Sequence, residues 1–494
     1  MADTDDKKAN GGKSDDNGYR SILKGTSIFG GVQVFQIMVN LLRGKFVAMF
    51  LGPDGMGVAS MFTSASNTIS RFASLGLNLA FVKEVASSKE SDRQLATALH
   101  VAGLLIRLTA LLGAIVCAVM SPWLSRWSFG SDAYAWQFVL LAVAVWFTVA
   151  GFGQSSLLQG LHKVKILSAT SLAGAVAGLV AGVPLYYFFG DKGIVPAMIV
   201  LGLTSYLFYS YGLRRATPRH NVRFRWSEHG PMVKRMLGTG MILLASSLIN
   251  TTCTWLINIY IRMHGDIADV GLFNAANSIT LQYAGVVFTA MALDYFPRLT
   301  AAASDNRRMW GIVNRQSEIV ALIAAPLTIL LVATAPLVIR LLLTERFLPV
   351  TELMRWLGLG ILLKAVAYPL GYIAFAKDNR SLFFWLEAVV CNALYLGMSL
   401  VFYRLFGMMG LGYAAVAEQG ACVILYMSVN RAAYGYSPDR KAVRETAIGI
   451  LLCVSAFCVS LASDGALGYW LMACVFLISA ARSFLTLKVR LRER

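Results

Sequence analysis

Residues 319–339 read IVALIAAPLTILLVATAPLVI, an uninterrupted stretch without a charged side chain. An α-helix rises about 1.5 Å per residue, so a run of this length crosses the roughly 30 Å hydrocarbon core of a bilayer. Similar runs recur along the whole chain, which is 57% hydrophobic and only 14% charged, with a mean hydropathy of +0.62. Soluble domains carry about a quarter charged residues. The sequence therefore predicts an all-α integral membrane protein.

The hydropathy pattern predicts about fourteen transmembrane helices, and the positive charges support this number. Lys and Arg residues total 30 in the two tails and every second connection, against 4 in the other connections. Cytoplasmic connections carry the excess of positive charge, so both termini are predicted to be cytoplasmic. The predicted spans are 25–50, 57–82, 95–120, 134–158, 167–189, 194–213, 236–262, 270–297, 311–343, 353–376, 382–403, 410–430, 445–463 and 468–487.

The chain divides into five predicted regions. The polar residues 1–23 are typical of a disordered cytoplasmic tail. Residues 24–213 form a first lobe of six helices, and 214–235, with seven cations, form a basic cytoplasmic linker. Residues 236–432 form a second lobe of six helices, and 433–494 add two helices and a basic tail. The net charge of +18 lies in short loops between spans, which argues against nucleic-acid binding.

An internal repeat relates the two lobes. Shifting the chain by 212–217 residues places Gly25-Thr26 on Gly238-Thr239, Asp54 on Asp266, Pro122 on Pro336, Lys163 on Lys377, and Phe189-Gly190 with Gly193 on Phe406-Gly407 with Gly410. The order is preserved across six spans. An even number of spans per repeat predicts two lobes of the same orientation, related by a pseudo-twofold axis along the membrane normal, with a site between them.

Polar side chains follow one helix face in the first two spans of each lobe. Such a face avoids lipid because an unsatisfied polar group there costs several kcal/mol. A single stripe is typical of hydrogen bonds between helices, but matching stripes in both lobes favour a shared central cavity. The stripes contain Gln33, Gln36, Asn40, Arg43, Ser60, Thr63, Asn67, Arg71, Ser74, Asn78, Ser247, Thr251, Thr254, Asn258, Arg262, Asn274, Ser278 and Gln282.

Charged residues at bilayer depth indicate the chemistry of the predicted cavity. The first lobe carries cations in its spans and no acid, which predicts that it attracts an anion such as phosphate. Ion pairing with acids of the second lobe is the alternative. The predicted substrate-binding residues are Arg43, Lys45, Asn67, Arg71, Arg107, Asn258, Asn274 and Lys364. Asp294, Glu387 and Glu418 are predicted to couple transport to H⁺ or Na⁺.

Several classes of protein lack support in the sequence. There is no P-loop, the five histidines have no metal-ligand spacing, and no cofactor motif is present. A polytopic polymerase or glycosyltransferase usually carries a large outer loop with acid–base residues, and all the predicted outer loops are short. A membrane enzyme acting on polyprenyl phosphate and a non-transporting scaffold of a polysaccharide assembly complex stay as minor alternatives.

Specific motifs resemble a known family over residues 20–432. LGPDGMG (51–57), VGLFNAANSIT (270–280), YFPRL (295–299), LLLTERF (341–347) and GYIAFAK (371–377), followed by Glu387, resemble the Wzx-type lipid-linked oligosaccharide flippases. These belong to the superfamily that contains the multidrug (MATE) exporters and the lipid II flippases. The two additional C-terminal helices depart from the twelve spans of many Wzx proteins and match the lipid II flippases.

The resemblance implies a function and its partners. It implies two lobes around a central cavity, alternating access, and undecaprenyl-pyrophosphate-linked oligosaccharide as cargo for O-antigen or related surface-polysaccharide synthesis. The implied location is the bacterial inner membrane. The implied partners are membrane lipids and polysaccharide polymerase or chain-length proteins. By position, Arg43, Lys45 and Arg71 match the cationic cavity of the first lobe. The alternative is a MATE-like, cation-coupled drug antiporter, which predicts a cavity dominated by acids.

Overall fold

The structure is a computed structural model that describes residues 6–88, 91–217, 226–462 and 465–492. Its α-helices in chain order are α1 (Asp6–Ala73), α2 (Leu77–Ser87), α3 (Asp92–Val119), α4 (Ser121–Phe129), α5 (Ala135–Gly160), α6 (Val164–Phe189), α7 (Ile194–Ala216), α8 (Trp226–His264), α9 (Ile267–Ala301), α10 (Asn306–Leu342), α11 (Thr351–Ala376), α12 (Arg380–Phe383), α13 (Cys391–Phe406), α14 (Met408–Tyr434), α15 (Arg440–Ala462) and α16 (Ala466–Arg492). A π-helix, Phe384–Val390, joins α12 to α13.

The helices agree with the predicted all-α membrane fold. Within the residues described, ten segments are long and apolar enough to cross a membrane. Two of them, Val34–Ala73 and Val164–Ala216, each contain two helical spans, because α1 breaks at Gly52 and α6 ends at Phe189. With α8 and α9, the described residues provide fourteen spans.

The first outer turn is a sharp break inside α1. Gly52 adopts φ 67° and ψ −165°, a backbone conformation that only glycine reaches without strain, and Pro53 follows it. Proline lacks the N–H that would continue the hydrogen-bonding pattern of the preceding helix. The LGPDGMG motif is therefore the reversal between two spans, as predicted.

The polar residues that the structure describes before the first predicted span are helical. The helix α1 begins at Asp6, so residues 6–23 continue a helix in place of the predicted disordered tail. Extending an established helix needs no new nucleus, which allows polar residues to join it. Residues 1–5, and residues 218–225 of the predicted basic linker, lie outside the described part of the chain.

The repeat is visible in the geometry of its outer turns. Gly190 has φ 55° and ψ −134°, and Gly407 has φ 60° and ψ −143°. A Cβ atom on Gly193 would collide with the carbonyl oxygen of Leu185, and one on Gly410 with that of Phe402, at the same separation along the chain. The turn is thus built twice from glycines at matching positions.

The turns that follow α5 and α11 also repeat, but in a register that differs from the prediction. His162 and Asp378 have φ values of 53° and 55°, which are uncommon for residues other than glycine. The Lys163 amide donates to Leu158 at 3.2 Å, and the Asn379 amide donates to Ala374 at 3.0 Å. Lys163 therefore corresponds to Asn379, two positions beyond the predicted partner, Lys377, because the turn geometry and not residue identity sets the alignment.

The chain divides into two compact units. Unit one contains the residues up to Arg43, Ile69–Leu124 and Ala133–Leu244. Unit two contains Gly44–Thr68, Ser125–Asp132 and the residues from Ala245 onward. The predicted regions 236–432 and 433–494 thus share one unit from Ala245 onward.

Small residues allow close helix packing in unit one. A Cβ atom on Gly174 would lie 3.0 Å from the Cα atom of Ser205, and one on Gly178 would lie 2.6 Å from Leu201. Small residues at this spacing bring transmembrane helices together without a hydrophobic driving force. Nearby, the Tyr209 hydroxyl donates a hydrogen bond to Ser171 Oγ at 3.0 Å.

A self-complementary contact joins α1 to α9 within unit two. A Cβ atom on Gly57 would collide with the carbonyl oxygen of Ile267, and one on Gly271 would collide with the carbonyl oxygen of Pro53. Pro53 and Gly57 are spaced like Ile267 and Gly271, so each side of the contact uses equivalent positions of the repeat. Such reciprocity is typical of a twofold interface. We refer to it as the outer glycine contact.

The last two helices are held to unit two by apolar packing and by ion pairs. Cys453 and Phe457 of α15 belong to a buried cluster that includes residues of α10 and α11. At the other end, Arg490 Nε lies 3.0 Å from Glu318 Oε1, and Arg482 pairs with Glu445. Since both pairs join different helices, they fix α16 against α10 and α15.

Replacing Glu445 with glutamine is expected to destabilise unit two. The Glu445 side chain is only 1% exposed and accepts hydrogen bonds from Arg444 and Arg482. Breaking a buried pair costs about 3–5 kcal/mol, and the partial exposure of both arginines reduces this to about 2 kcal/mol. Thermal unfolding in detergent should show a lower midpoint for Glu445→Gln and no change for the exposed Glu345→Gln; equal midpoints for both would contradict the prediction.

Candidate functional site

A cavity of about 440 Å³ lies inside unit two. It is lined by residues of α8, α9, α11, α13 and α14 and by the π-helix. Its volume is within the range of about 300–1,000 Å³ that is usual for small-ligand sites. Three of the residues predicted from the sequence line it together: Lys364, Glu387 and Glu418.

The two carboxylates of the cavity occupy different environments. Glu418 is 5% exposed and accepts hydrogen bonds from Gln419 Nε2 at 2.6 Å and from the Cys422 thiol at 3.4 Å. Glu387 is more accessible and accepts a hydrogen bond from the Tyr426 hydroxyl. Glu387 is therefore the carboxylate that a ligand in the cavity reaches more easily.

Glu387, which lines the cavity, lies on the π-helix. A π-helix results from one extra residue in a helical turn and often occurs at functional sites. Asn392 Nδ2 donates to the carbonyl oxygens of Glu387 and Ala388, both at 3.0 Å, and so occupies groups that the regular pattern leaves free. Asn250 of α8 in turn donates to Asn392 Oδ1 at 3.0 Å.

Sequence reasoning missed most of the uncharged polar groups of this cavity. Asn277, Gln419, Tyr395 and Tyr426 all line it. A signal was available for Asn277, which follows the predicted Asn274 by one helical step, and for Gln419, which follows Glu418 directly. Nothing in the local pattern indicated the two tyrosines, because their approach depends on how α13 and α14 pack.

Two cysteines also line the cavity. The Sγ atoms of Cys391 and Cys422 lie 3.2 Å apart, and Cys391 also contacts the Tyr426 hydroxyl at 3.2 Å. Both cysteines are free thiols. They therefore provide natural chemical reporters inside the cavity.

Asn258 and Asn274, both predicted to contact substrate, are engaged in hydrogen bonds between helices. Asn258 is fully buried at 0% exposure, and its Nδ2 donates to Ser64 Oγ at 2.8 Å. Its Oδ1 accepts from Asn274 Nδ2 at 2.9 Å. Since both ends of the Asn258 amide are occupied, this geometry favours a structural role beside the outer glycine contact, in place of the predicted ligand contact.

The remaining predicted cations are divided between the units. Arg43, Arg71 and Arg107 belong to unit one, whereas Lys45 belongs to unit two, as does the predicted Asn67. The side chains of Arg71, Arg107 and Asn67 are exposed, and those of Arg43 and Lys45 are half-buried. Each residue has the accessibility that contact with a ligand requires.

None of the predicted arginines Arg43, Arg71 and Arg107 forms a salt bridge with a described side chain. Arg107 Nε donates to the carbonyl oxygen of Gly103, one turn earlier on its own helix, at 3.1 Å. Ion pairs that involve carboxylates occur elsewhere, as in Arg235 with Glu84. The side chain of Asp294, predicted to couple ions, lies outside the part of the chain that the structure describes.

The chain is similar to known transport proteins. It is 25% identical over 370 residues to the lipid III flippase of Escherichia coli (strain K12), covering 72% of this chain and 85% of that protein. Its fold is similar to that of the lipid II flippase MurJ in an inward closed conformation, with a TM-score of 0.69, 13% identity, and coverage of 95% of this chain and 99% of MurJ.

A second solved structure supports the same fold. It is an inward-facing multidrug resistance MATE family transporter of the MOP superfamily, with a TM-score of 0.63 and 15% identity, covering 87% of this chain and 96% of the transporter. The fold that the sequence predicted is thus confirmed. Residues 46–352, more than half of the chain, match the family model described as polysaccharide biosynthesis protein. The chain therefore belongs to the polysaccharide biosynthesis protein family.

Proposed function

We propose that this protein is a flippase that carries undecaprenyl-pyrophosphate-linked oligosaccharide across the bacterial inner membrane by alternating access. Its family and its similarity to a lipid III flippase support a role in surface-polysaccharide synthesis. The fold shared with a lipid II flippase supports a transport mechanism based on two lobes. The charge distribution of the loops supports cytoplasmic termini.

The observation that carries the proposal is the absence of carboxylate partners for Arg43, Arg71 and Arg107 among the described side chains. A cation at bilayer depth costs roughly 2.5–3.5 kcal/mol on insertion scales and persists only with compensation. A guanidinium group matches phosphate oxygens with two parallel hydrogen bonds. A pyrophosphate headgroup therefore supplies the missing compensation.

Three arginines elsewhere in the chain, Arg355, Arg482 and Arg490, have compensation within the protein. Arg355 is 8% exposed and donates to the carbonyl oxygens of Ser460 at 3.0 Å and Val332 at 3.4 Å. Arg482 pairs with Glu445, and Arg490 with Glu318. The contrast with these three arginines supports a ligand-binding role for Arg43, Arg71 and Arg107.

The proposal is tested by reconstituting purified protein into vesicles. Fluorescent undecaprenyl-pyrophosphate oligosaccharide is placed in both leaflets, and a membrane-impermeant quencher reports the fraction that becomes accessible. In vesicles without protein, only the lipid of the outer leaflet should be quenched. In vesicles that contain the protein, lipid from the inner leaflet should become accessible and the quenched fraction should rise. Depletion in cells should also leave lipid-linked oligosaccharide at the cytoplasmic face; absence of both effects would reject the proposal.

We also propose that Glu387 and Glu418 couple transport to H⁺ or Na⁺. The two carboxylates share the cavity with Lys364, and Glu387 is the more accessible of the pair. A buried carboxylate is easily neutralised by a proton or a bound cation. The antiporter alternative is supported by the same two acids and by the fold of the MATE transporters.

Replacing Glu387 with glutamine is expected to abolish the response of transport to an ion gradient. Glutamine keeps the hydrogen bond from Tyr426 but holds no ionisable proton. Translocation by the variant should therefore stay at its gradient-free rate when a pH or Na⁺ gradient is applied, whereas the wild type should accelerate several-fold. Glu352→Gln, at the start of α11, is the matched control; acceleration of Glu387→Gln equal to the wild type would contradict the coupling.

Partners beyond the lipid-linked substrate belong to the same proposal. Polysaccharide polymerase and chain-length proteins consume the translocated unit, so a physical association with the flippase is expected. Cross-linking in native membranes followed by mass spectrometry would identify such partners.

A further inference from the structure

We infer that the cavity of unit two is a sugar-binding subsite that reads the oligosaccharide of the cargo. This inference rests on the proposed function and assigns a second chemical part of the substrate to a second set of residues. It depends on three properties of the cavity: free amide groups, an aromatic wall and an unfavourable charge for phosphate.

The amide side chains of the cavity keep hydrogen-bonding groups free for a ligand. Asn277 makes no hydrogen bond with any described residue, and the Oε1 atom of Gln419 and the Oδ1 atom of Asn250 also have no partner there. An amide offers two donors and one acceptor in a plane. Neighbouring sugar hydroxyl groups each donate and accept, so a planar amide can bind two of them together.

Aromatic rings form one wall of the same cavity. Tyr368 and Tyr372 have ring centroids 4.9 Å apart, and Tyr372 and Phe383 are 6.5 Å apart. All three residues line the cavity. The electron-rich face of an aromatic ring favours contact with polarised C–H groups, which one face of a pyranose ring presents. The combination of amides and aromatic rings in one cavity is thus suited to a carbohydrate.

The charge of the cavity distinguishes sugar from phosphate. Glu387 and Glu418 place two carboxylates against the single ammonium group of Lys364. One ammonium group beside two acids is a weaker phosphate site than a set of guanidinium groups, which bind phosphate oxygens with two parallel hydrogen bonds. Carboxylate oxygens accept hydrogen bonds from hydroxyl groups, so the same acids suit a neutral sugar or an amino sugar.

The inference is tested by comparing two lipids with purified protein in nanodiscs. The probes are undecaprenyl pyrophosphate, which has no sugar, and the undecaprenyl-pyrophosphate-linked oligosaccharides extracted from host membranes. The variants are Asn277→Ala and Gln419→Ala, with Gln316→Ala on α10, outside the cavity, as the matched control. Dissociation constants are measured for each protein and each lipid.

We expect the wild type to bind the extracted oligosaccharide lipids about tenfold more tightly than undecaprenyl pyrophosphate. Each cavity variant should lose about three- to tenfold for the sugar-bearing lipids, as one or two lost hydrogen bonds imply, and less than twofold for undecaprenyl pyrophosphate. Gln316→Ala should bind both lipids like the wild type.

A second measurement uses the natural thiol and needs no substitution. Alkylation of Cys391 by a maleimide, read from its peptide by mass spectrometry, should be slowed by the sugar-bearing lipids and not by undecaprenyl pyrophosphate. Equal affinity of the wild type for the two lipids, or unchanged binding by both cavity variants, would overturn the inference. If neither lipid binds the wild type, the proposed function would be overturned instead.

Discussion

The Arg71→Glu variant is expected to lose about 99% of lipid-linked oligosaccharide translocation. The substitution removes charge-assisted hydrogen bonds worth about 1.5–3 kcal/mol and adds repulsion between a carboxylate and the pyrophosphate, so a loss of about 100-fold follows. Arg43→Glu should behave similarly, because Arg43 too has no carboxylate partner among the described residues. The measurement is the initial rate in reconstituted vesicles.

Two controls make the Arg71 result specific. Arg93→Glu makes the same change of charge near the start of α3, where the side chain is exposed, and should retain transport. Arg71→Lys keeps the charge but loses the bidentate geometry, so it should transport at an intermediate rate. Full activity of Arg71→Glu would reject phosphate binding at this position and would favour the antiporter alternative.

The second large effect is expected at the outer glycine contact. Alanine at Gly57 or Gly271 places a methyl group against a backbone carbonyl oxygen, which cannot move aside as a flexible side chain can. Overpacking of this kind costs about 1–3 kcal/mol in the conformation that contains the contact. The proposed alternating-access cycle passes through that conformation, so translocation is expected to fall about 10-fold or more in either variant.

The double variant provides the sharper test of the outer glycine contact. Gly57 and Gly271 belong to one contact, so moving the helices apart to accommodate one methyl group also makes room for the other. The loss of translocation in the double variant should therefore be smaller than the two single losses combined. Gly397→Ala is the matched control, since a Cβ atom there meets nothing within 4 Å. Wild-type rates in both single variants, at normal expression, would show that the contact is not needed for transport.

Much of the fold could be predicted from the sequence because membrane insertion imposes a simple physical rule. Long apolar runs and the asymmetric distribution of Lys and Arg were sufficient for fourteen helices. The repeat was also predictable from turn residues such as Gly190 and Gly407, which share a conformation available mainly to glycine. Its register between Lys163 and Asn379 was not, because side-chain identity there does not follow backbone geometry.

The site was predictable only in part. Lys364, Glu387 and Glu418 stood out because charge at bilayer depth is costly, and the structure places all three on one cavity. Asn258 belongs to one of the polar stripes, but its side chain is fully buried and hydrogen-bonded to neighbouring helices. Helical periodicity cannot distinguish a residue that binds a neighbouring helix from one that binds a ligand. A polar stripe gives the face of a helix and not what lies opposite it.

The π-helix records how the two repeats diverged. Asp378 follows its counterpart His162 by 216 positions, whereas Gly407 follows Gly190 by 217, so the second copy has one residue more between these turns. The π-helix lies within that interval and absorbs the insertion. With the offset of 217 that applies after the π-helix, Tyr426 corresponds to Tyr209. With the offset of 216 that applies before it, Glu387 corresponds to Ser171.

Each copy therefore retains a tyrosine that donates to the facing helix, to a hydroxyl in one and to a carboxylate in the other. One additional residue and one acidic side chain thus distinguish the second copy, in which the tyrosine contacts an ionisable group in place of a hydroxyl.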